Sequence, residues 1–157
     1  MFYGVIHEGN LIKGIKNILK NKKKEEKSKT LYIDSGITIF GLNIEICIDE
    51  KVKDNLDKYK ETIKSDIKII NKNKRKIYEE CVYEYEYILE DSEINKKIST
   101  NDIKITDAFC WPEYNEYCFG VTLKDSKLNK EIEDPCIECE VEIKNNTIDV
   151  NVSTHWR

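Results

Sequence analysis

The sequence predicts an α+β domain, a mainly antiparallel sheet packed against two amphipathic helices. Three observations predict it. Apolar and polar residues alternate between Leu31 and Ile48 and again from Ile103 onward, the two-residue period of half-buried strands. Between Val52 and Leu89 the apolar spacing changes to three or four, the stripe of a helix. The order is therefore strands, two helices, then more strands, and such segregation builds an α+β layer pair rather than alternating parallel units. The 157 residues suit a single domain, 1–157, long enough to bury a core.

Phe2 to His7 reads as a short strand broken by Gly9-Asn10. Leu11, Ile15, Ile18 and Leu19 recur at helical spacing, so residues 10–20 read as a short helix. Gly14 inside that segment keeps a second hairpin strand as the alternative. Lys20 to Lys29 carries charge without an apolar stripe and reads as a charged mobile connection near 20–29. Leu31 to Ile33 opens the next strand, and Asp34-Ser35-Gly36 supplies turn chemistry. After Phe40-Gly41 the alternation changes phase to Leu42, Ile44, Ile46 and Ile48, which predicts a bulge or tight turn at the glycine.

Asp49 is placed to cap a helix. Val52, Leu56, Tyr59, Ile63, Ile67 and Ile70 form its apolar stripe, and Asn71 to Lys76 is a polar, basic junction. Ile77, Tyr78, Cys81, Val82, Tyr85, Ile88 and Leu89 form a second stripe. Tyr83-Glu84-Tyr85-Glu86-Tyr87 alternates as a strand would, but the helical period continues on both sides and favours a helix. Ile103 and Ile105 begin the β-rich part, and Trp111 to Asn115 reads as a loop. Tyr117, Phe119, Val121 and Leu123 alternate. Ile137, Cys139, Val141 and Ile143 alternate with Glu138, Glu140 and Glu142 on the other face. Asn145-Asn146 is a hairpin turn before Ile148, Val150 and Val152.

Composition narrows the function classes. Six Gly and two Pro exclude collagen-like and linker-like chains. No apolar run approaches the ~18 residues of a membrane span, and the N-terminus lacks the pattern of a secretory signal. The reading is a cytoplasmic protein with no membrane association, in which the six Cys are free thiols. The Lys, Ile and Asn richness fits an AT-rich bacterial genome. The formal net charge of −4 hides a split. Residues 1–78 hold 18 Lys+Arg against 11 Asp+Glu, a net of +7, and residues 79–157 hold 8 against 19, a net of −11.

The motifs give little chemistry. Cys136-Ile137-Glu138-Cys139 is a C-x-x-C, yet its two thiols fall in opposite strand phases. A zinc site from Cys110, Cys118, Cys136 and Cys139 is an alternative to packed free thiols, whereas Cys47 and Cys81 read as structural. Gly9 to Lys16 has the G-x-x-x-x-G spacing of a phosphate loop but lacks the Lys-Ser/Thr pair, which rejects it. His7 and His155 stand at opposite ends of the chain, and nothing local pairs either with a nucleophile. No catalytic residue, metal ligand or cofactor is assigned. Lys20 to Lys29 and Lys68 to Lys76 would be a phosphate footprint, but aromatic interleaving is missing and the acidic half repels nucleic acid.

The second helix carries the most informative pattern. With Ile77, Cys81, Tyr85 and Leu89 inward, Glu79, Glu80, Tyr83, Glu86, Tyr87 and Glu90 face outward, and Tyr83 and Tyr87 are i,i+4 neighbours. Tyr supplies contact area at low entropy cost, and carboxylates steer a basic partner. Trp111, Tyr114 and Tyr117 extend that surface from the loop, and the competing reading is that these rings pack against the sheet or a loop.

Over residues 30–153 the chain resembles the immunity proteins encoded beside polymorphic toxins in bacteria. The resemblance lies in the strand pair Leu31–Ile48, the helix pair of 50–90 and the closing hairpin Cys139 to Val150. It implies a non-enzymatic, cytoplasmic protein that binds and neutralises a cognate toxin, with an acidic surface suited to the basic cleft of a nuclease toxin. The alternatives are a nucleic-acid-associated protein using the Lys-rich N-terminal half and a small zinc-binding protein.

Overall fold

In a computed structural model the described residues are 29–91, 94–132 and 135–156. The expected strand at Phe2–His7, the helix over 10–20 and the charged connection, apart from Lys29, lie outside them. The described chain is α+β, with one six-stranded sheet ordered β1 to β6 as in the sequence. The strands are β1 (Thr30–Ile39), β2 (Leu42–Asp49), β3 (Ile103–Trp111), β4 (Glu116–Leu123), β5 (Pro135–Lys144) and β6 (Thr147–Trp156). The helices are α1 (Leu56–Lys72), α2 (Lys74–Asp91) and the short α3 (Ser126–Glu131). The sheet is mixed, because β2 and β3 run parallel while every other neighbouring pair is antiparallel.

Turn chemistry sets the first hairpin. Phe40 and Gly41 take φ of 55° and 80°, the two left-handed residues of a primed two-residue turn. That conformation is uncommon for Phe. Its ring is held by an edge contact with Tyr78 at 6.2 Å and a tilted contact with Phe119 at 5.4 Å. The phase change at Gly41 is thus a tight turn. Asp34-Ser35-Gly36 does not end the strand: it is a bulge inside β1, where the register shifts between Asp34 and Thr38. Asn145 and Asn146, at φ 49° and 63°, close the β5–β6 hairpin, as Asn tolerates that region.

Asp49 ends β2 and caps a 3-10 turn over Glu50–Asn55, its side chain accepting from the Lys51 N–H at 2.9 Å. The turn leads into α1, and Asn73 alone separates α1 from α2. Trp111, expected in a loop, is instead the last residue of β3, and a short 3-10 turn (Pro112–Tyr114) follows it.

Both long helices lie on one face of the sheet, α1 against β1 and α2 against β5 and β6. Ile63 and Ile70 of α1 join Ile77, Cys81, Tyr85, Ile88 and Leu89 of α2 in a core that includes Ile44, Ile46, Phe119, Val121 and Ile137. Two buried tyrosines tie the layers together. The Tyr85 hydroxyl donates to the Val121 carbonyl at 3.2 Å, and the Tyr117 hydroxyl donates to Asp66 Oδ2 on α1 at 2.7 Å. No helix among the described residues is long and apolar enough to cross a membrane.

Ile70 is fully buried beneath the junction of the helices. Ile70→Ala is expected to lower stability by about 2–5 kcal/mol in urea denaturation, whereas Lys68→Ala on the exposed side stays within about 0.5 kcal/mol. Tyr85→Phe, which loses the bond to Val121, is expected to cost about 1 kcal/mol in the same assay.

Candidate functional site

The outward face of α2 assembles as the periodicity predicts. Tyr85 turns into the core, and Tyr83 and Tyr87 turn out, 66% and 59% exposed, one helical turn apart. Glu79, Glu80 and Glu90 are exposed beside them and Glu86 is half-buried. Glu79 accepts from Arg75 Nε at 2.7 Å, one turn earlier on the helix. Both groups of that pair are largely exposed, so it orients the side chains more than it stabilises the fold.

The three expected aromatics divide. Tyr114 is 51% exposed, but Trp111 and Tyr117 are each 2% exposed. Placing Trp111 and Tyr117 on an exposed surface is therefore corrected: Trp111 is the buried last residue of β3, and Tyr117 lies in β4 with its hydroxyl on Asp66. The turn carrying Tyr114 packs on β2, β4 and α1, while α2 packs on β5 and β6. Tyr114 thus belongs to a different part of the molecule from Tyr83 and Tyr87.

A second acidic cluster, its glutamates buried or half-buried, lies on the sheet face opposite the helices. The β4–β5–β6 register sets Glu116 across from Glu142, Glu142 across from Asp149, and Cys118 across from Glu140 and Gly120 across from Glu138. A hollow of about 150 Å³ is lined there by Glu116, Cys118, Glu140, Glu142 and Asn151. Like charges placed directly opposite repel. Burial first, then Glu116 and Glu138, pushes the Glu140 carboxyl up to about 7. The Cys118 thiol is pushed well above its usual range by burial, and then by Glu140, Glu116 and Glu138, which keeps it a neutral thiol. The alternation of Glu138, Glu140 and Glu142 signals three carboxylates of this cluster in the sequence. Glu116 carries no such signal, because only strand pairing brings it there.

The thiols separate by strand phase. Cys110 and Cys139 belong to the core beneath the helices, where the free thiols of Cys139 and Cys81 are in hydrogen-bond contact. Cys118 and Cys136 face the other side of the sheet, Cys136 3.6 Å from Glu138 Oε1. A sheet lies between the two pairs, so they do not converge on one tetrahedral ion. Among the described residues, no group of three or more His, Cys, Asp or Glu side chains is arranged to hold a metal. His155 is buried on β6 across from Cys136, two strands away from Cys118 and on the face opposite Cys110.

The basic segment divides as well. Lys72, Lys74, Arg75 and Lys76 are exposed at the α1–α2 junction, whereas Lys22, Lys23 and Lys24 lie outside the described residues. Compared with family models, with curated proteins and with solved structures, the chain matches none.

A carboxyl whose folded pKa is raised contributes stability below its unfolded pKa of about 4.5 and loses it as pH rises through about 7. Glu140→Gln is expected to remove that loss. In urea denaturation the variant should gain on the wild type by roughly 1–2 kcal/mol between pH 5 and pH 8, a figure reduced for the side chain's partial exposure.

Proposed function

We propose that the protein is a non-enzymatic binding protein that takes a basic protein partner on the Tyr83–Tyr87 face of α2. Its place is the cytoplasm, and the partner class that fits best is the toxin of an immunity pair, the class to which the resemblance over residues 30–153 points. One observation carries the reading: two tyrosines more than half exposed, one turn apart, inside a field of carboxylates. A helix that served only to cover the sheet would gain nothing from exposed aromatic rings at these positions. Rings of this kind form the buried centre of protein interfaces, and the surrounding carboxylates speed encounter with a cationic surface.

The charge order of α2 supports the same reading. Its first turn has no acidic residue and its last turn no basic one, so its charges oppose the helix macrodipole. Helix stability therefore does not account for the carboxylates at Glu90 and Asp91, while attraction of a cation does.

The product of the adjacent gene is the first partner to test, by co-expression and pull-down. Tyr83→Ala combined with Glu86→Lys is expected to weaken capture by about 100-fold or more with an unchanged melting temperature. Undiminished capture by the folded variant rejects this surface.

A further inference from the structure

A further hollow lies away from the acidic side chains of α2 and of the sheet. It is an open groove of about 550 Å³ between the α1–α2 junction and the end of the sheet where β3 begins and β4 ends. Lys72 closes α1, Lys74 and Arg75 open α2, and Lys124 follows β4, and all four line the groove. Tyr78 and Asn101 add an aromatic ring and an amide. The Lys124 N–H donates to the Asp102 carbonyl at 2.8 Å, which fixes the strand end against the turn that carries Asn101.

Among the described residues no carboxylate lines this groove, and the nearby ones are engaged. Glu79 holds Arg75 through Nε alone, Asp102 accepts from Ser99 N and Oγ, and Asp125 holds Lys96 at 2.9 Å. Lys72 and Lys124 form no ion pair among the described residues. Lys74 is placed over the Tyr78 and Phe40 rings, at 5.8 and 5.9 Å, which settles its stem without neutralising its charge. Three cations, Lys74, Arg75 and Lys76, also crowd the first turn of α2, which holds no carboxylate. Such an arrangement disfavours the free protein and is relieved by an anion.

We propose that this groove binds a phosphorylated small molecule of nucleotide size, with the phosphates among Lys72, Arg75 and Lys124 and the rest of the ligand toward Tyr78 and Asn101. The volume is the argument for a ligand larger than phosphate itself, since it falls within the roughly 300–1,000 Å³ of small-molecule sites. Arg75 retains its terminal guanidinium nitrogens for a phosphate fork, and the two lysines supply point charges. Nothing in this site draws on Tyr83 or Tyr87, so it stands or falls separately from the partner-binding face.

Calorimetric titration of the full chain with ADP, inorganic phosphate and adenosine tests it. ADP is expected to bind, phosphate to bind more weakly and compete with ADP, and adenosine not to bind. Lys72→Ala with Lys124→Ala is expected to weaken ADP by at least about tenfold at an unchanged melting temperature, as both side chains are exposed. Absence of ADP binding at about millimolar concentration overturns the proposal, as does ADP binding that survives the double substitution in a folded protein. Phosphate binding as tightly as ADP overturns the nucleotide-sized assignment. An RNA oligonucleotide that binds where ADP does not assigns the cations to a nucleic-acid footprint and overturns it too.

Discussion

The parallel pairing of β2 with β3 is the constraint on which the rest of the architecture depends. Parallel neighbours cannot be joined by a tight turn, so the chain leaving β2 at Asp49 has to travel back along the sheet before Ile103. The crossover uses two long helices, and a single crossing stays on one side of the sheet. The core follows from that. Isoleucines from α1 and α2 meet the inward residues of β1 to β5, and the buried hydroxyls of Tyr85 and Tyr117 anchor one helix each to the sheet. Asp49 starts the crossover by capping its first turn, and the Glu50 N–H bonded to the Lys29 carbonyl holds the same corner.

The crossover also decides where charge gathers. With the helices on one face, the other face of β4, β5 and β6 collects carboxylates in direct cross-strand pairs. Glu116 and Glu142 repel across the strands, as do Glu142 and Asp149, and burial first, then Glu116 and Glu138, raises the nearby Glu140 carboxyl. The cations gather at the joint of the helices, where two chain ends that are both rich in lysine abut. One helix, α2, runs from the basic pole to the acidic one, and in doing so sets its charges against its own dipole. The modest net charge of −4 is thus the residue of strong local fields of opposite sign.

These fields point to two kinds of recognition. The outer face of α2 has aromatic area within a negative field, the combination suited to a basic protein. The groove at the joint has positive charge, hydrogen-bonding groups and depth, the combination suited to a small phosphorylated anion. Long runs of lysine suggested nucleic acid, but the groove draws on four cations from two places in the chain, 72–75 and Lys124, and is bounded on one side by carboxylate-rich α2. Its concave shape fits a compact ligand better than a polymer backbone.

Much of the fold was legible because periodicity is a local property. The strand alternation, the two helical stripes, the Asp49 cap, the turn at Phe40-Gly41 and the Asn145-Asn146 hairpin can each be read from a few neighbouring residues. Local turn chemistry misled at Asp34-Ser35-Gly36, where strand pairing on both sides absorbed the turn residues as a bulge. It misled again at Trp111, where a large apolar ring next to Pro112 was drawn into the interior rather than left in a loop. The Tyr83–Tyr87 face was legible, since one helix positions both rings. By itself the sequence determined, within the described residues, the two long helices, most of the strands and which side of each is apolar, but not the short α3. Only the tertiary structure decided that β2 and β3 run parallel, that Glu116 joins Glu138, Glu140 and Glu142, that four thiols part to opposite faces, and that Lys124 meets Lys72 and Arg75. The reason is that the period of an element is set by residues a few positions apart, while the company each side chain keeps is set by strand register and crossover, which bring together residues separated by dozens of positions.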